Sequence, residues 1–356
     1  MQKNAYTRIS FQKTSINSLF NMKRIRLILI ITILVCSLSL LVCCKHKQYF
    51  FNEGYVFGTV YHMTYYANED LQEGIENELK KFDLSLSMFN PKSTISSINK
   101  AGTESFDLSS DPWTYRVIKE SIEFSRITDG AFDITVAPLV NAWGFGFEKS
   151  AEITPEYIDS ILQFVGYKLL NLENKRLIKA DPRVKLDASA VAKGYSCDIV
   201  AEYLKSKGVT DYMIEIGGEM AISGKNPGGG DWRIGISTPV DDRTSTNTEW
   251  KEKLTLTNKC VATSGNYRRF YEKNGKRYAH TIDPSTGYPV QHSLLSSTVV
   301  ANDCLTADAL ATAFMVMGVE KALPLAESLP DVEALFICST DSTCNVITTS
   351  GMSAWR

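Results

Sequence analysis

Apolar positions recur at helical spacing in some stretches of the chain and at strand spacing in others. Helices are predicted where apolar residues recur at the spacing of one helix face. Two of these helices begin at a capping residue followed by proline, Asp111-Pro112 and Thr154-Pro155. These helices cover residues 69–86, 111–128, 154–166, 190–207, 306–317 and 320–328. Segments rich in aromatic and β-branched residues predict strands at 54–66, 168–171, 176–180, 184–187, 211–216, 219–223, 232–237, 253–257, 260–263, 268–272, 277–282 and 294–301, with a final hairpin over 333–348.

Helices and strands follow one another without the regular rhythm of a doubly wound sheet. The predicted fold class is therefore α+β with a mixed sheet. No linker rich in proline, glycine or serine divides the body, so residues 53–350 are predicted to form one catalytic domain.

The N-terminal region carries an export signal. Lys23, Arg24 and Arg26 precede an apolar run over residues 27–42, a pattern typical of secreted proteins. The run is shorter than the ~20 residues that a membrane-spanning helix needs, although an uncleaved anchor helix is the alternative. Either way, the body is predicted to lie outside the cytoplasm.

The end of this signal, Leu41-Val42-Cys43-Cys44-Lys45, resembles a bacterial lipobox, in which the cysteine after the cut is acylated. Cys44 is the predicted lipidation site, because Val42 is a poor residue to precede a cut at Cys43. Residues 22–43 are then the signal peptide and 44–52 a tether, which predicts an inner-membrane lipoprotein facing the periplasm. Since residues 1–21 are polar and precede the signal, they are predicted to be a mis-assigned extension, with translation beginning at Met22.

Composition narrows the class of protein. The chain has 356 residues, of which 44% are hydrophobic and 22% charged, which is typical of a globular protein with a substantial core. A net charge of −2 gives no basic excess, so we expect no nucleic-acid partner. Five of the eight cysteines lie beyond the signal and show no spacing suited to zinc. Of these, Cys338 and Cys344 flank a turn and could bridge a hairpin in an oxidising compartment.

Asp308 and Thr312 lie four residues apart in the late helix, so both oxygens are on one helical face. A carboxylate and a hydroxyl suit Mg²⁺, which prefers oxygen ligands and keeps positions open for phosphate. The alternative is that Thr306 caps the helix and Asp308 lies in its first turn because of the helix dipole. This segment alone favours the alternative.

Two further segments suit an anionic ligand. Ala190 and Lys193 lie where a strand passes into a helix, and free N–H groups at a helix start favour anions. The alternative is a capped helix with a solvated lysine. Gly217-Gly218 lies between two strands and marks either a hairpin turn or the close approach of a ligand to the backbone. No dinucleotide-binding GxGxxG and no P-loop pattern is present.

His280 and Asp283 lie where a strand runs into a turn through Asp283-Pro284. His280 is one of four histidines and suits a general base, although a structural histidine fits equally well. Residues 128–139 read as a helix end and a glycine turn, and aromatic residues there and at 143–146 suit either the core or a stacked ring ligand.

Taken together and in order, these segments resemble the FAD:protein FMN transferases, the ApbE family of exported flavin-handling lipoproteins. The resemblance spans residues 54–348. It rests on Phe57-Gly58-Thr59, Thr128-Asp129-Gly130-Ala131-Phe132-Asp133, Ala192-Lys193-Gly194-Tyr195, Gly217-Gly218, Thr263-Ser264-Gly265-Asn266-Tyr267, His280-Thr281-Ile282-Asp283-Pro284 with Gly287, and Ala307-Asp308-Ala309-Leu310 with Thr312. The chain departs from the family pattern at Phe57, where relatives often carry methionine, and at Ala311, where some carry a second acid.

The resemblance implies that FAD binds between two lobes of the domain. Mg²⁺ would be held by the Ala190 carbonyl oxygen, Asp308 and Thr312 on the pyrophosphate. His280 or Asp283 would activate the attacking hydroxyl. The residues implied to line the flavin nucleotide are Phe57, Phe89, Ala131, Phe132, Asp133, Lys193, Ser196 and Ile282, beside the turn of Gly217 and Gly218.

The implied reaction transfers FMN from FAD to a threonine or serine hydroxyl of an acceptor protein and releases AMP. By resemblance, the acceptor carries a flavinylation motif and is a subunit of an ion-pumping NADH:quinone reductase or a related electron-transfer protein. Two alternatives stay open: an FAD pyrophosphatase in which water replaces that hydroxyl, and a flavin-binding lipoprotein without turnover.

Overall fold

The structure, a computed structural model, describes residues 22–32, 46–146, 152–239, 250–266, 270–273, 276–340 and 343–356. Residues 22–32 are helical, and Tyr49–Arg356 form a separate compact unit, here called the body. No helix within the described residues has both the length and the apolar character to cross a membrane. Residues 1–21, Cys44 and the second half of the predicted signal, residues 33–43, lie outside the described residues.

Fifteen strands and nine helices make up the described elements. The helices are α1 (residues 22–32), α2 (Gln72–Leu86), α3 (Thr94–Ala101), α4 (Pro112–Ile127), α5 (Ala137–Ala142), α6 (Pro155–Leu162), α7 (Ala192–Ser206), α8 (Cys304–Met317) and α9 (Val319–Ser328). The strands are β1 (Gln48–Val56), β2 (Thr59–Ala67), β3 (Ser105–Asp107), β4 (Leu170–Glu173), β5 (Arg176–Lys179), β6 (Tyr212–Ile216), β7 (Glu219–Ser223), β8 (Trp232–Ser237), β9 (Trp250–Leu256), β10 (Lys259–Gly265), β11 (Phe270–Lys273), β12 (Lys276–Ala279), β13 (Leu294–Ala301), β14 (Glu333–Ser339) and β15 (Cys344–Thr348).

One sheet of eight strands, in the order β1-β2-β6-β7-β10-β13-β14-β15, forms the centre of the body. Its neighbouring strands are antiparallel in every pair whose register is described. The predicted α+β class is confirmed. Helices α7 and α8 pack against each other and against strands β6, β7, β10 and β13, so the two helices that carry the predicted site residues lie side by side on the sheet.

Strand β14 is buried on both faces of the sheet, because its alternate residues form two apolar sets. In β14, Ala334 and Phe336 pack with residues of α8 and α9, whereas Leu335 and Ile337 pack with the β8–β9 hairpin. A helix layer therefore covers one face and a hairpin the other.

Several predicted boundaries were wrong for identifiable reasons. The strand over 54–66 is a hairpin of β1 and β2, because Phe57 and Gly58 both have positive φ and form its two-residue turn. Residues 184–187 are not a strand. Helices α3 and α5 were not predicted, since each is too short to show a helical period.

Cys338 and Cys344 are both free thiols in the structure. Cys338 pairs across the hairpin with Asn345, and Cys344 pairs with Ser339. Because neighbouring residues of a strand point to opposite faces, this one-residue offset directs the two thiols to opposite sides of the sheet.

Candidate active site

Asp308 lies in the second turn of α8 and is 2% exposed. The helix is capped by Asp303, whose carboxylate accepts the Thr306 N–H at 2.8 Å. The alternative in which Thr306 caps the helix and Asp308 sits in its first turn is therefore wrong. Asp308 instead accepts the backbone N–H of Gly194 through Oδ2 at 2.9 Å, from the start of α7.

Gly194 is the point at which α7 and α8 touch. A Cβ at this position would overlap the Cys304 carbonyl oxygen and lie 2.7 Å from the Cβ of Asp308, so only glycine lets the helices approach this closely. Because the Gly194 N–H is directed at Asp308, it does not bond the carbonyl of Ala190 four residues earlier. No backbone N–H of the residues that the structure describes donates to that carbonyl.

Lys193 lies between two buried carboxylates. Its Nζ is 3.2 Å from Glu219 Oε1 and 3.7 Å from Asp308 Oδ2, and both acids are almost fully buried. The alternative of a solvated lysine is therefore wrong. One ammonium facing two carboxylates leaves an excess negative charge when all three are ionised, and burying such a charge is costly.

The pKa values of these groups reflect that excess. Burial lowers the pKa of Lys193, but the carboxylates of Asp308 and Glu219 outweigh it and hold this pKa above its ordinary value. Burial raises the pKa of Glu219 to about 8, despite the nearby ammonium. Burial also raises the pKa of Asp308, against the opposing effect of Lys193 and the Gly194 N–H. An additional cation would relieve both carboxylates.

The oxygen atoms at this junction suit a hard cation such as Mg²⁺. The candidates are the Asp308 carboxylate, the Ala190 carbonyl and the Thr312 hydroxyl, which lies 3.1 Å from Ser264 Oγ. Glu219 Oε2 is buried and has no hydrogen-bond partner among the described residues. An all-oxygen ligand set that includes a buried carboxyl group fits Mg²⁺ rather than a softer metal.

Two tight turns approach Lys193 from the sheet. Gly217 donates its N–H to the Val60 carbonyl at 3.0 Å, and a Cβ on Gly217 would come within 3.2 Å of both Thr59 and Lys193 side-chain atoms. Gly217 and Gly218 both have positive φ. The β6–β7 turn and the β1–β2 turn that contains Phe57 thus lie beside the Lys193 chain, which agrees with a close approach of the backbone to a ligand.

The remaining flavin-lining predictions differ in their surroundings. Phe57 is half-buried with its ring 5.6 Å from that of Phe82, whereas Phe89 is 65% exposed and Ala131 is half-buried. Phe132 and Ile282 are buried in apolar clusters. Ser196 is fully buried and donates its hydroxyl to the Lys193 carbonyl at 2.7 Å, so its contact with a ligand would require a change of rotamer.

Asp133 is buried, and both its oxygens bond to the protein. Oδ1 accepts the N–H and hydroxyl of Thr135 at 2.8 and 2.7 Å, and Oδ2 accepts the Tyr167 N–H at 2.7 Å. These bonds fix the loop that follows α4. Through them, Asp133 shapes the loop that contains Ala131 and Phe132. A direct contact of Asp133 with the flavin stays a prediction.

His280 and Asp283 belong to one loop between β12 and β13. The His280 ring lies edge-on to Phe145, with 6.3 Å between ring centroids. Asp283 Oδ1 accepts the N–H and hydroxyl of Ser285 at 2.8 and 2.6 Å, which stabilises the turn. The Asp283 carboxylate is thus already hydrogen-bonded within the turn. The roles of His280 and Asp283 as a general base both stay predictions.

Glu219 is the site residue that the sequence did not single out. It follows Gly217-Gly218 directly and opens β7, where an acid is usually solvent-exposed. The signal that could have found it is an acid placed immediately after paired glycines.

Comparison with known proteins identifies the family. Residues 57–336 match the ApbE family. The chain belongs to this family. It is similar to the FAD:protein FMN transferase of Vibrio cholerae, 37% identical over 317 residues that cover 86% of this chain and 93% of the relative. It is equally similar to that of Haemophilus influenzae, 37% identical over 333 residues and covering 90% and 94% of the two chains.

Solved structures of ApbE proteins share the fold. The flavin transferase ApbE from Vibrio cholerae superposes with a TM-score of 0.79 at 35% identity, covering 87% of this chain and all of that one. The flavinyl transferase ApbE of Pseudomonas stutzeri, in its apo form, has a TM-score of 0.77 at 30% identity, covering 86% and 96%. The predicted family, α+β fold and enzyme class, a flavin transferase, are confirmed.

Proposed function

We propose that this chain transfers FMN from FAD to a threonine or serine hydroxyl of an acceptor protein and releases AMP. The observation that carries the proposal is the buried junction of α7 and α8, where the single ammonium of Lys193 faces the carboxyl groups of both Asp308 and Glu219 beside further oxygen ligands. Such a junction suits a cation that in turn binds a pyrophosphate.

Each residue of the junction has its own role in binding the substrate. Asp308, Thr312 and the Ala190 carbonyl hold Mg²⁺, which supplies charge neutralisation and orientation to the pyrophosphate. Lys193 keeps its proton between the two carboxylates and adds positive charge on the phosphate side. Glu219 holds the Lys193 ammonium in place through the 3.2 Å contact. The turns of Phe57 and Gly217 close the site over the flavin nucleotide.

In the transfer step, the acceptor hydroxyl oxygen bonds to the FMN phosphorus as the pyrophosphate P–O bond to AMP breaks. His280 takes the hydroxyl proton, and Asp283 maintains the turn that positions His280. The ring contact with Phe145 limits the orientations of the imidazole. Water in place of the acceptor hydroxyl would give FMN and AMP, which is the pyrophosphatase alternative.

We further propose that the body is tethered outside the cytoplasm through a lipid on Cys44, facing the periplasm. The support is the basic and apolar pattern of residues 23–42 followed by a lipobox-like end. An extracytoplasmic electron-transfer subunit with a flavinylation motif is the matching acceptor. Replacing Cys44 with serine should release the protein from washed membranes, and unchanged membrane association would contradict the anchor.

One assay separates the three candidate functions. The protein is incubated with FAD and Mg²⁺, with and without an acceptor that bears a flavinylation motif. A transferase yields an acceptor with covalent flavin fluorescence and one AMP per flavin attached. A pyrophosphatase yields free FMN without acceptor, and a binding protein leaves FAD intact.

Asp308→Ala tests the site within that assay, with the surface variant Asp107→Ala as its matched control. Asp308→Ala should lose both transfer and hydrolysis, whereas Asp107→Ala should keep them, because Asp107 lies on the exposed strand β3. Circular dichroism checks that both variants are folded. Full transfer by a folded Asp308→Ala variant would contradict the assignment.

A further inference from the structure

A second group of potential metal ligands lies beside the same α7–α8 contact, one helical turn along α7 from Gly194. Asp198, Cys260 and Cys304 each offer one ligand atom, and these three atoms lie within 4.8 Å of one another. Asp198 belongs to α7, Cys260 to β10, and Cys304 opens α8. Residues separated by more than a hundred positions are thus brought together by the fold, which explains why their spacing along the chain shows no metal motif.

The distances suit a small tetrahedral ion. Cys260 Sγ lies 3.9 Å from Asp198 Oδ1 and 3.9 Å from the Asn302 carbonyl oxygen. In a tetrahedral zinc site with sulfur at about 2.3 Å and oxygen at about 2.1 Å, neighbouring ligand atoms are about 3.5–3.8 Å apart. The Cys260 and Asp198 atoms therefore need to move by only a few tenths of an ångström, and the Cys304 sulfur, within 4.8 Å of both, by at most about 1 Å.

The carboxylate is already held in position. Asp198 accepts the backbone N–H of Cys304 through Oδ1 at 2.8 Å and of Leu305 through Oδ2 at 2.9 Å. Each oxygen keeps a second lone pair for another partner. The Cys304 thiol points at the Met220 carbonyl at 2.9 Å, a weak contact whose proton a metal ion would displace.

A cavity gives access from solvent to two of these ligands, Asp198 and Cys260. It has a volume of about 230 Å³ and is lined by Asp198, Cys260, Arg116 and Asn302, among others. Two thiolates and one carboxylate around a divalent ion leave one negative charge, which the Arg116 guanidinium at the cavity wall can balance. The cavity also has room for water as a fourth ligand.

We propose that Asp198, Cys260 and Cys304 bind one Zn²⁺ ion, with water from the cavity completing a tetrahedral site. The ion would link α7, α8 and β10 and would stabilise the scaffold that carries Asp308. Its soft thiolate ligands distinguish it from the oxygen ligands of the Mg²⁺ junction. The proposal does not depend on the flavin reaction.

Cobalt substitution of the full-length protein tests this directly. The reduced protein is stripped with chelator and titrated with Co²⁺, whose bonds to thiolates give an intense near-ultraviolet charge-transfer absorption. We expect the absorption to saturate at one Co²⁺ per chain and to disappear when one equivalent of Zn²⁺ is added. Zn²⁺ retained after gel filtration should raise the melting temperature.

Two site variants and two controls assign the signal. Cys260→Ser and Cys304→Ser should each weaken Zn²⁺ retention at least tenfold, whereas Cys344→Ser, outside the cluster, should keep it. Asp308→Ala should also keep the thiolate absorption, which separates this site from the Mg²⁺ junction. Melting curves in chelator check that the variants are folded.

Three outcomes would overturn the proposal. The reduced wild-type protein could show no thiolate–cobalt absorption, or folded Cys260→Ser and Cys304→Ser variants could both retain one Zn²⁺. The third is a Cys260–Cys304 disulfide in the purified protein with no metal uptake after its reduction, which would identify the cluster as a redox pair.

Discussion

Gly194→Ala is the perturbation that most sharply tests the contact between α7 and α8. The added Cβ would overlap the Cys304 carbonyl oxygen and lie 2.7 Å from the Cβ of Asp308. Neither neighbour is the flexible end of a side chain, so the two helices must separate. The 2.9 Å bond from the Gly194 N–H to Asp308 would lengthen or break.

The expected cost follows from three contributions. Overpacking a close contact costs about 1–3 kcal/mol. Weakening a hydrogen bond to a buried carboxylate costs about 1.5–3 kcal/mol. The better helix propensity of alanine returns about 1 kcal/mol. The free energy of unfolding should therefore fall by ~2–4 kcal/mol, which for a domain of this size lowers the melting temperature by ~3–6 °C.

Activity should fall as well, because Asp308 is displaced from the cation site. A misplacement of about 1 Å in a catalytic geometry costs on the order of 100-fold in rate. The assays are thermal unfolding and covalent flavin transfer, with Gly230→Ala as control. At Gly230 a Cβ meets only Asn226 Nδ2 at 3.7 Å, so stability should change by less than ~0.5 kcal/mol. A Gly194→Ala protein with wild-type melting temperature and activity would show that this contact does not position Asp308.

Three other predictions follow from the same site. Burial raises the pKa of Glu219 from 4.5 to about 8, so its contribution to stability is present below pH 4.5 and is lost as pH rises through 8. Urea unfolding in chelator should show this fall, and a Glu219→Gln protein with the same pH dependence would contradict it. Ser264→Ala removes the hydroxyl that lies 3.1 Å from the Thr312 hydroxyl, and it should raise the Mg²⁺ concentration needed for half-maximal activity roughly tenfold. An unchanged Mg²⁺ titration of this variant would contradict the assignment of Thr312. Asp133→Ala leaves three donors without their acceptor and should cost about 2–4 kcal/mol of unfolding free energy, where less than ~1 kcal/mol would show that these bonds are replaceable.

Local patterns predicted much of the fold. The caps Asp111 and Thr154, each followed by proline, predicted the starts of α4 and α6, and the β-branched residues of 294–301 predicted β13 at its observed bounds. The element boundaries that these patterns failed to predict depend on backbone geometry. The turn of Phe57 and Gly58 breaks the β1–β2 segment through positive φ at a phenylalanine, which side-chain periodicity does not signal.

The site was predictable only in part, because its chemistry depends on long-range packing. Asp308 and Thr312 share a helix, so their common face followed from spacing. Burial of Asp308 and its bond to Gly194 depend on contact between helices more than a hundred residues apart, and Glu219 enters the site from the sheet. Contacts between residues so far apart in the chain leave no periodic pattern in a single sequence.

The central claim is that Asp308, Thr312 and the Ala190 carbonyl hold a divalent cation on the pyrophosphate of bound FAD. The most direct measurement is a crystal structure with FAD and Mn²⁺ in place of Mg²⁺, with anomalous scattering recorded to locate the manganese. We expect one Mn²⁺ within ~2.3 Å of Asp308, Thr312 and Ala190 oxygens and of a phosphate oxygen. Manganese bound elsewhere on FAD, with Asp308 still paired only to Lys193 and Gly194, would contradict it.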